Sequence, residues 1–520
     1  MNAYLIRTLA LLEARTRLRR LSTLATLLAI VALTWLMISD PSTGRTLIAM
    51  GGARVRYTSS ALALGSAAQA SLLFALAGFY LLRGRMAEDL RSGLAGVIGA
   101  SPAGNASFLL ARWCGGVLYL LALVAAFMAT ILACHLLRGE GPLEPLVYLQ
   151  TYALVMGPMI LFAASCALLF DSWAPLMGKA GDLLYFVIWM SQVGMMAGVV
   201  EGAGPTAIPV DFTGMSAVIA TLAAYGDFRD TMVGIASFDP HLAPLTLPAW
   251  TWTARVAGVR CVAAVLALVP LLLAMRLFHR FSPDRVKPAR ARARRSPLAL
   301  LNSWLRPLAR LAQPLFALSA RLHGMAGQVL ADVALTLAGA PAAIAALLAA
   351  QVLALALDAR MLPGLAVACV AFWGILASEL STRDGDAALD GMGAAVAGGA
   401  ARRYWRQLAA ALVLGLMFTG VAALRLAVAA PLRAGALVAG MFALAALATL
   451  LGRASGTART FLALFLFGLY VSISAADVPA LDVVGFHGTA TLPSVLAWLG
   501  VGGLAALAGY LWNRHALAHG

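Results

Sequence analysis

Charge is what this chain has least of. Asp, Glu, Lys and Arg make up 12% of its 520 residues against 62% hydrophobic ones, and the mean hydropathy is +0.88. So few polar groups cannot cover a set of soluble domains, which leaves the bilayer as the solvent. Cysteine is sparse as well. Cys114, Cys134, Cys166, Cys261 and Cys369 stand singly inside apolar segments with neither paired nor metal-ligand spacing, and they read as small core residues. The seven histidines form no His-Glu-x-x-His and no cluster, so a metal hydrolase has no support. A phosphate-binding Gly-x-x-x-x-Gly-Lys-Ser/Thr loop is missing too. The nearest string, Gly178-Lys179-Ala180, lacks the leading glycine and the magnesium-binding hydroxyl. Finally, no small-residue cleavage site follows the first apolar span at Ser39 to Thr43, so that span is expected to be a retained helix.

Long apolar runs are what the chain does have. Runs of about 18 or more residues are long enough to cross a hydrocarbon core of about 30 Å as helices, which satisfy their own backbone hydrogen bonds. Spans are expected near 21–38, 61–82, 114–137, 147–170, 181–200 and 251–277, then near 341–357, 362–380, 407–428, 433–452, 459–475 and 493–512. The expected fold is an all-α integral membrane protein with about 12 transmembrane helices. Trp250, Trp252 and Trp512 fall at span ends as interface anchors.

The net charge of +16 would suggest nucleic acid in a soluble protein, but here the arginines gather at span ends and nucleic acid is not an expected partner. Arg83, Arg85, Arg91, Arg112 and Lys179 fall on one side of the membrane, with Arg383, Arg402, Arg403, Arg406, Arg453 and Arg459. Glu140, Glu144, Glu201, Asp211, Asp227, Asp230, Asp239, Asp477 and Asp482 fall on the other; the exceptions are chiefly Arg138, Arg229, Arg360 and Arg433. The Lys/Arg asymmetry puts both termini in the cytoplasm, N-in and C-in. The expected location is a bacterial inner membrane.

Residues 281–297, rich in arginine and proline, read as an exposed basic linker between a first half at 1–280 and a second at 298–520. Each half opens with an amphipathic stretch, Tyr4 to Leu21 and Leu298 to Val333, expected to lie in the inner interface against membrane lipids. The halves also echo each other. At a constant offset of 292, Arg91-Ser-Gly93 matches Arg383-Asp-Gly385, Gly99 matches Gly391 and Trp113 matches Trp405. On the outer side, Pro209-Val-Asp211-Phe-Thr-Gly214 is echoed by Pro479-Ala-Leu-Asp482-Val-Val-Gly485. Two parallel six-helix repeats follow, since an even number of spans returns each repeat to the cytoplasm.

The loop after the second span carries the most specific pattern. Glu88 and Asp89 open an amphipathic run through Arg91 and Gly93 that stops at Ala100-Ser-Pro102, ahead of Arg112, Trp113 and the next span. An acid, a glycine about five residues on, an apolar run and a proline before the third helix resemble the cytoplasmic loop of ABC-2 (type V exporter-like) permeases. The layout around it resembles that family over nearly the whole chain, while the motif covers about 30 residues in each half. The resemblance implies a transmembrane permease subunit of an ATP-driven exporter, energised by separate ABC ATPase subunits, two of them. It implies coupling residues Glu88, Asp89, Arg91, Gly93 and Pro102, with Glu379, Arg383 and Gly385 in the second copy, which has no proline where Pro102 maps. This chain would bind no cofactor and catalyse nothing itself; ATP and Mg would sit on the partner ATPase. Further periplasmic or membrane partners are compatible with it.

The alternative is a 12-helix secondary transporter driven by an ion gradient. Met86-Ala-Glu-Asp-Leu-Arg-Ser-Gly93 distantly resembles the Asp-Arg-x-Gly-Arg loop of the major facilitator class, though its order differs and membrane-embedded carboxylates are scarce. Arg260 and Arg425, inside apolar spans near their outer ends, either hold an anionic group along a substrate path or snorkel. Gln192, with Gln69 and Gln351, either lines such a path or joins helices. Asp384-Gly-Asp386 resembles the Asp-x-Asp of some glycosyltransferases, but two acids in a basic loop are common. Asn105-Ala-Ser107 falls on the cytoplasmic side, where a glycosylation triplet has no meaning.

Overall fold

A computed structural model describes residues 2–38, 40–198, 206–226, 231–249, 251–278, 297–386, 399–474 and 478–518. The linker at 281–296, residues 387–398 of the second loop, and Glu201, Asp227, Arg229, Asp230, Trp250 and Asp477 lie outside them. The chain divides into two compact units, Met1–Ser296 and Pro297–Gly520.

In the first unit, α1 (Asn2–Leu18) and α2 (Leu21–Met37) precede α3 (Ser59–Leu82), whose first turn is capped by the Thr58 hydroxyl accepting from Ala61 N. Two short helices follow, α4 (Arg85–Arg91) and α5 (Leu94–Ala100), and then the long α6 (Asn105–Arg138), α7 (Pro145–Ser172) and α8 (Lys179–Gly198). After α9 (Met215–Leu222), the last apolar stretch is split into α10 (Ala254–Leu266) and α11 (Val269–Leu277). Pro270 accounts for the split, since it has no N–H to continue the ladder. Helix α3 is the most enclosed, packed by α6, α7 and α8; α1 and α2 lie on α6, and α10 and α11 on α7.

The second unit opens with α12 (Pro297–Trp304), a 3-10 turn at Arg306–Ala312 and α13 (Gln313–Arg321). Its helices are α14 (Met325–Gly339), α15 (Pro341–Ala356), α16 (Leu362–Leu380), α17 (Gly399–Ala429), α18 (Pro431–Ser455), α19 (Ala458–Ser474) and α20 (Leu492–Ala518). Neighbours recur in the same order: α14 and α15 lie on α17, α16 packs against α17, α18 and α19, and α20 packs on α18. Helices α14 and α15 meet at 103°, where Ala340 leaves the helical region ahead of Pro341.

Among the described residues a helix falls on each of the twelve expected stretches, but the helices are not equal. Eight helices among the described residues are long and apolar enough to cross a membrane, and a ninth if the bent pair α14–α15 is one span. The 17 residues of α2 and of α19 fall short, and α8 is not among the eight. The chain is therefore a largely helical, multi-pass membrane protein.

The all-α expectation also missed a small sheet. Strands β1 (Arg45–Met50), β2 (Ala53–Arg54) and β3 (Thr231–Ser237) form an antiparallel sheet in the order β2-β1-β3. Gly51 and Gly52 turn the hairpin with φ of 56° and 77°, the two left-handed residues that a two-residue loop requires. Leu47 of β1 presses so closely on Gly65 of α3 that a Cβ there would stand 2.7 Å from it, which seats the sheet on the helix start.

Candidate functional site

The charged residues of the first unit converge where α3 ends. Arg83, with its side chain fully enclosed, pairs with Asp171 at the end of α7 (2.6 Å) and Asp182 at the start of α8 (3.0 Å), and donates to the Leu176 carbonyl (2.7 Å). The backbone then reverses at Gly84 (φ 91°), and Gly84 N donates to Asp171 at 2.9 Å. One guanidinium thus ties three helices together, and each of its charges is buried with a partner, the arrangement that burial requires.

A second layer holds α4 in place. Glu13 of α1 accepts from Arg17 (2.8 Å) and Arg85 (3.3 Å), while Arg17 also donates to the Leu81 and Leu82 carbonyls at the end of α3. Burial pushes the Glu13 carboxyl up, but the guanidiniums of Arg17, Arg112 and Arg85 outweigh it and hold the group below its ordinary range. Helix α1 comes this close to α6 because position 115 is glycine: a Cβ there would stand 2.7 Å from that of Glu13. Glu88 pairs with Arg20 (2.9 Å) and Arg85 (2.8 Å), and Asp89 pairs with Arg112 of α6.

The sequence-derived residues therefore take distinct places. Glu88 is half-exposed between two arginines, whereas Asp89 is buried and ties α4 to α6. Arg91 closes α4, and Gly93 (φ 76°) turns the chain into α5, which ends at Ala100 with Pro102 just beyond. Helix α5 turns Ala95 and Ile98 inward, Ile98 against the cluster of Met86, Phe108, Leu168 and Phe278. Its other face is open, with Leu94 50% and Val97 69% exposed. It is an exposed apolar face beside a charged collar.

The second unit brings a different set together. Arg406 of α17 joins Asp332 of α14 (2.8 Å) and Asp384 (3.2 Å), and Arg383 donates to the Thr336 hydroxyl (2.9 Å). Glu379 is exposed near the end of α16. Gly385 lies within the helical turn Arg383–Asp386 and has no positive φ, so it does not break the chain as Gly93 does. Where Arg83 fastens α3 to α7, the close contact of α16 with α18 uses small residues: the Ser381 hydroxyl donates to the Ala448 carbonyl (3.3 Å) over Gly452.

At the opposite ends of the units, the echoed segments form related turns. Asp211 accepts from Gly214 N (3.1 Å) and Ser216 N (2.7 Å); Asp482 accepts from His487 N and Thr489 N (3.2 Å each). Gly214 and Gly485 have φ of 79° and 70°. A guanidinium backs each turn: the buried Arg260 donates to the carbonyls of Asp211, Phe212, Leu154 and Val155, and the half-buried Arg433 to those of Gly485 and Phe486. Gln192 accepts from Phe212 N (2.9 Å), and Arg425 donates to the carbonyls of Ala354 and Leu357 that end α15. Arg260, Arg425 and Gln192 are thus engaged with backbone of their own unit, as is Gln351, which donates to the Met417 carbonyl (2.7 Å).

Sequence reasoning missed Glu13, Arg17, Arg83, Asp171 and Asp182 as a network. The available signal was their position: acids are few in this chain, and Asp171 and Asp182 bracket the turn between the fourth and fifth apolar stretches on the side rich in arginine. Among the described residues no group of histidine, cysteine, aspartate and glutamate is arranged to hold a metal ion. No protein-family model matches the chain, and no curated protein or solved structure matches it.

Proposed function

We propose that this chain is the permease subunit of an ATP-driven exporter of the ABC-2 kind, twelve spans in two parallel six-helix repeats, with both ends in the cytoplasm of a bacterial-type cell. The observation that carries the reading is α5: a short helix with Leu94 and Val97 exposed, directly following α4, whose ion pairs reach α1 and α6 beside the pairs of Arg83 with α7 and α8. A partner that grips this face would pull on a helix packed through Ile98 against the core cluster rather than on a free loop, which is what transmission of an ATPase stroke demands. The recurrence of helix neighbours in the two units supports the repeat. ATP and magnesium belong to separate subunits in this reading, because the chain has no phosphate-binding loop.

The test is co-expression of the chain with an ATPase encoded beside it, followed by purification of the pair and measurement of ATP hydrolysis in lipid. The expected result is a stable complex that Val97→Glu dissociates without disturbing membrane insertion. Transport driven by a proton gradient with no ATPase present would overturn the reading in favour of a secondary transporter.

A further inference from the structure

The sequence holds no acidic residue between Asp284 and Asp332, and the described part of that interval carries Arg306, Arg310 and Arg321. This segment is fixed to the second unit. Asn302 accepts from Ala342 N (3.0 Å) at the start of α15, Ala312 is buried, and α14 lies against the end of α13 at Gly327, where a Cβ would stand 2.3 Å from the Leu322 carbonyl. The segment sits beside the 103° bend from α14 to α15, at the end of the unit that bears Arg406.

What the fixed layer shows to its surroundings is mixed in one particular way. Trp304 is 79% exposed and Leu311 52%, with Leu318 and Leu322 also open, and the exposed Arg306, Arg310 and Arg321 are interleaved with them. None of these three guanidiniums has an ion pair among the described residues. Apolar side chains of this size alternating with unpaired arginines fit the boundary between headgroups and acyl chains, where the rings and leucines enter hydrocarbon and each guanidinium meets a phosphodiester. A zwitterionic headgroup offers that phosphate with a compensating cation; an anionic one does not.

We propose that residues 301–325 form a binding surface for anionic phospholipid headgroups, with Arg306, Arg310 and Arg321 as the phosphate ligands and Trp304 as the apolar anchor. The surface stands on the membrane reading alone and is independent of the permease assignment. Each arginine near an anionic surface contributes about fivefold in affinity at low salt.

The experiment uses the full chain in vesicles of phosphatidylcholine containing a trace of headgroup-photoactivatable phosphatidylglycerol or phosphatidylcholine, with cross-links mapped to the peptide 301–325. In wild type the phosphatidylglycerol probe labels the peptide about tenfold more than the phosphatidylcholine probe. The triple variant Arg306→Gln, Arg310→Gln, Arg321→Gln brings the two yields together, whereas Arg45→Gln, Arg255→Gln, Arg360→Gln, which removes the same charge elsewhere, leaves the excess intact. Equal labelling by both probes in wild type, no labelling of the peptide, or a preference lost equally in the control variant overturns the proposal. So does loss of the excess on adding inorganic phosphate but not chloride at equal ionic strength, which would assign the arginines to soluble phosphate compounds.

Discussion

Arg91-Ser-Gly93 and Arg383-Asp-Gly385 stand at matching places in the two units, after α3 in one and α16 in the other, and the chain does different things at each. In the first unit, the glycine takes a left-handed conformation and launches α5, and the end of α3 ahead of it is fastened by a buried arginine with two carboxylates. In the second, the glycine stays helical, and the ion pairs around Arg406 are partly open to solvent. At the opposite ends the relation is reversed. There the turns at Asp211 and Asp482 share their buried acid, left-handed glycine and backing arginine, although Arg260 comes from α10 and Arg433 from α18. The two units are alike at one end and unlike at the other, and the proposed coupling site lies at the end where they differ.

The largest effect that tests this contrast is at the buried pairs. Arg83→Gln leaves Asp171 and Asp182 buried without their counter-charge and is expected to cost about 3–5 kcal/mol, whereas Arg406→Gln, at a partly exposed site, costs about 1 kcal/mol or less. Unfolding of the detergent-solubilised chain followed by helical circular dichroism reads both, and equal losses would erase the distinction. At the turns of Asp211 and Asp482 the effects should match. Gly214→Ala and Gly485→Ala each force a left-handed alanine, about 1–2 kcal/mol, against Arg260 at 3.0 Å and the Arg433 carbonyl at 2.9 Å. A cost at one position alone would mean that the two turns are not equivalent.

A smaller pair differs in sign. Gly93→Ala should destabilise by about 1 kcal/mol, while Gly385→Ala, in a helical turn, should stabilise by about 0.5–1 kcal/mol. The same melts report it, and a shared sign would contradict the difference in backbone. The smallest effect concerns acid. Because the folded Glu13 carboxyl is held below its unfolded value of about 4.3, its contribution is complete above that pH and is lost as pH falls through the lower folded value. Glu13→Gln should therefore flatten the stability profile below about pH 4.3, and an unchanged acid limb would show that its three arginines do not act on it.

The sequence made the helices legible because apolar runs of spanning length have few other outcomes in lipid. It also marked the turns at Asp211 and Asp482, since an aspartate followed three residues on by glycine is local chemistry. The sheet was hidden: β1 reads as the leading edge of an apolar region, and its partner β3 lies far along the chain, so only Gly51-Gly52 signalled a hairpin. The collar was hidden for a related reason. Its acids and bases come from Glu13, Arg83, Asp171 and Asp182, which share no motif and meet only when α1, α3, α7 and α8 pack. The loop motif at 88–102 was visible, but its roles were not: Glu88 and Asp89 hold α4 to its neighbours, and the exposed face belongs to Leu94 and Val97.

The central claim, that α5 docks an ATPase and the corresponding loop of the second unit does so less or not at all, is most directly tested by a photo-cross-linking amino acid placed at position 97 or at position 385 in chains co-expressed with the neighbouring ATPase. The account predicts a strong cross-link to the ATPase from position 97 and a weaker one, or none, from 385. No cross-link from position 97 in a complex that hydrolyses ATP, or equal yields from both positions, would contradict it.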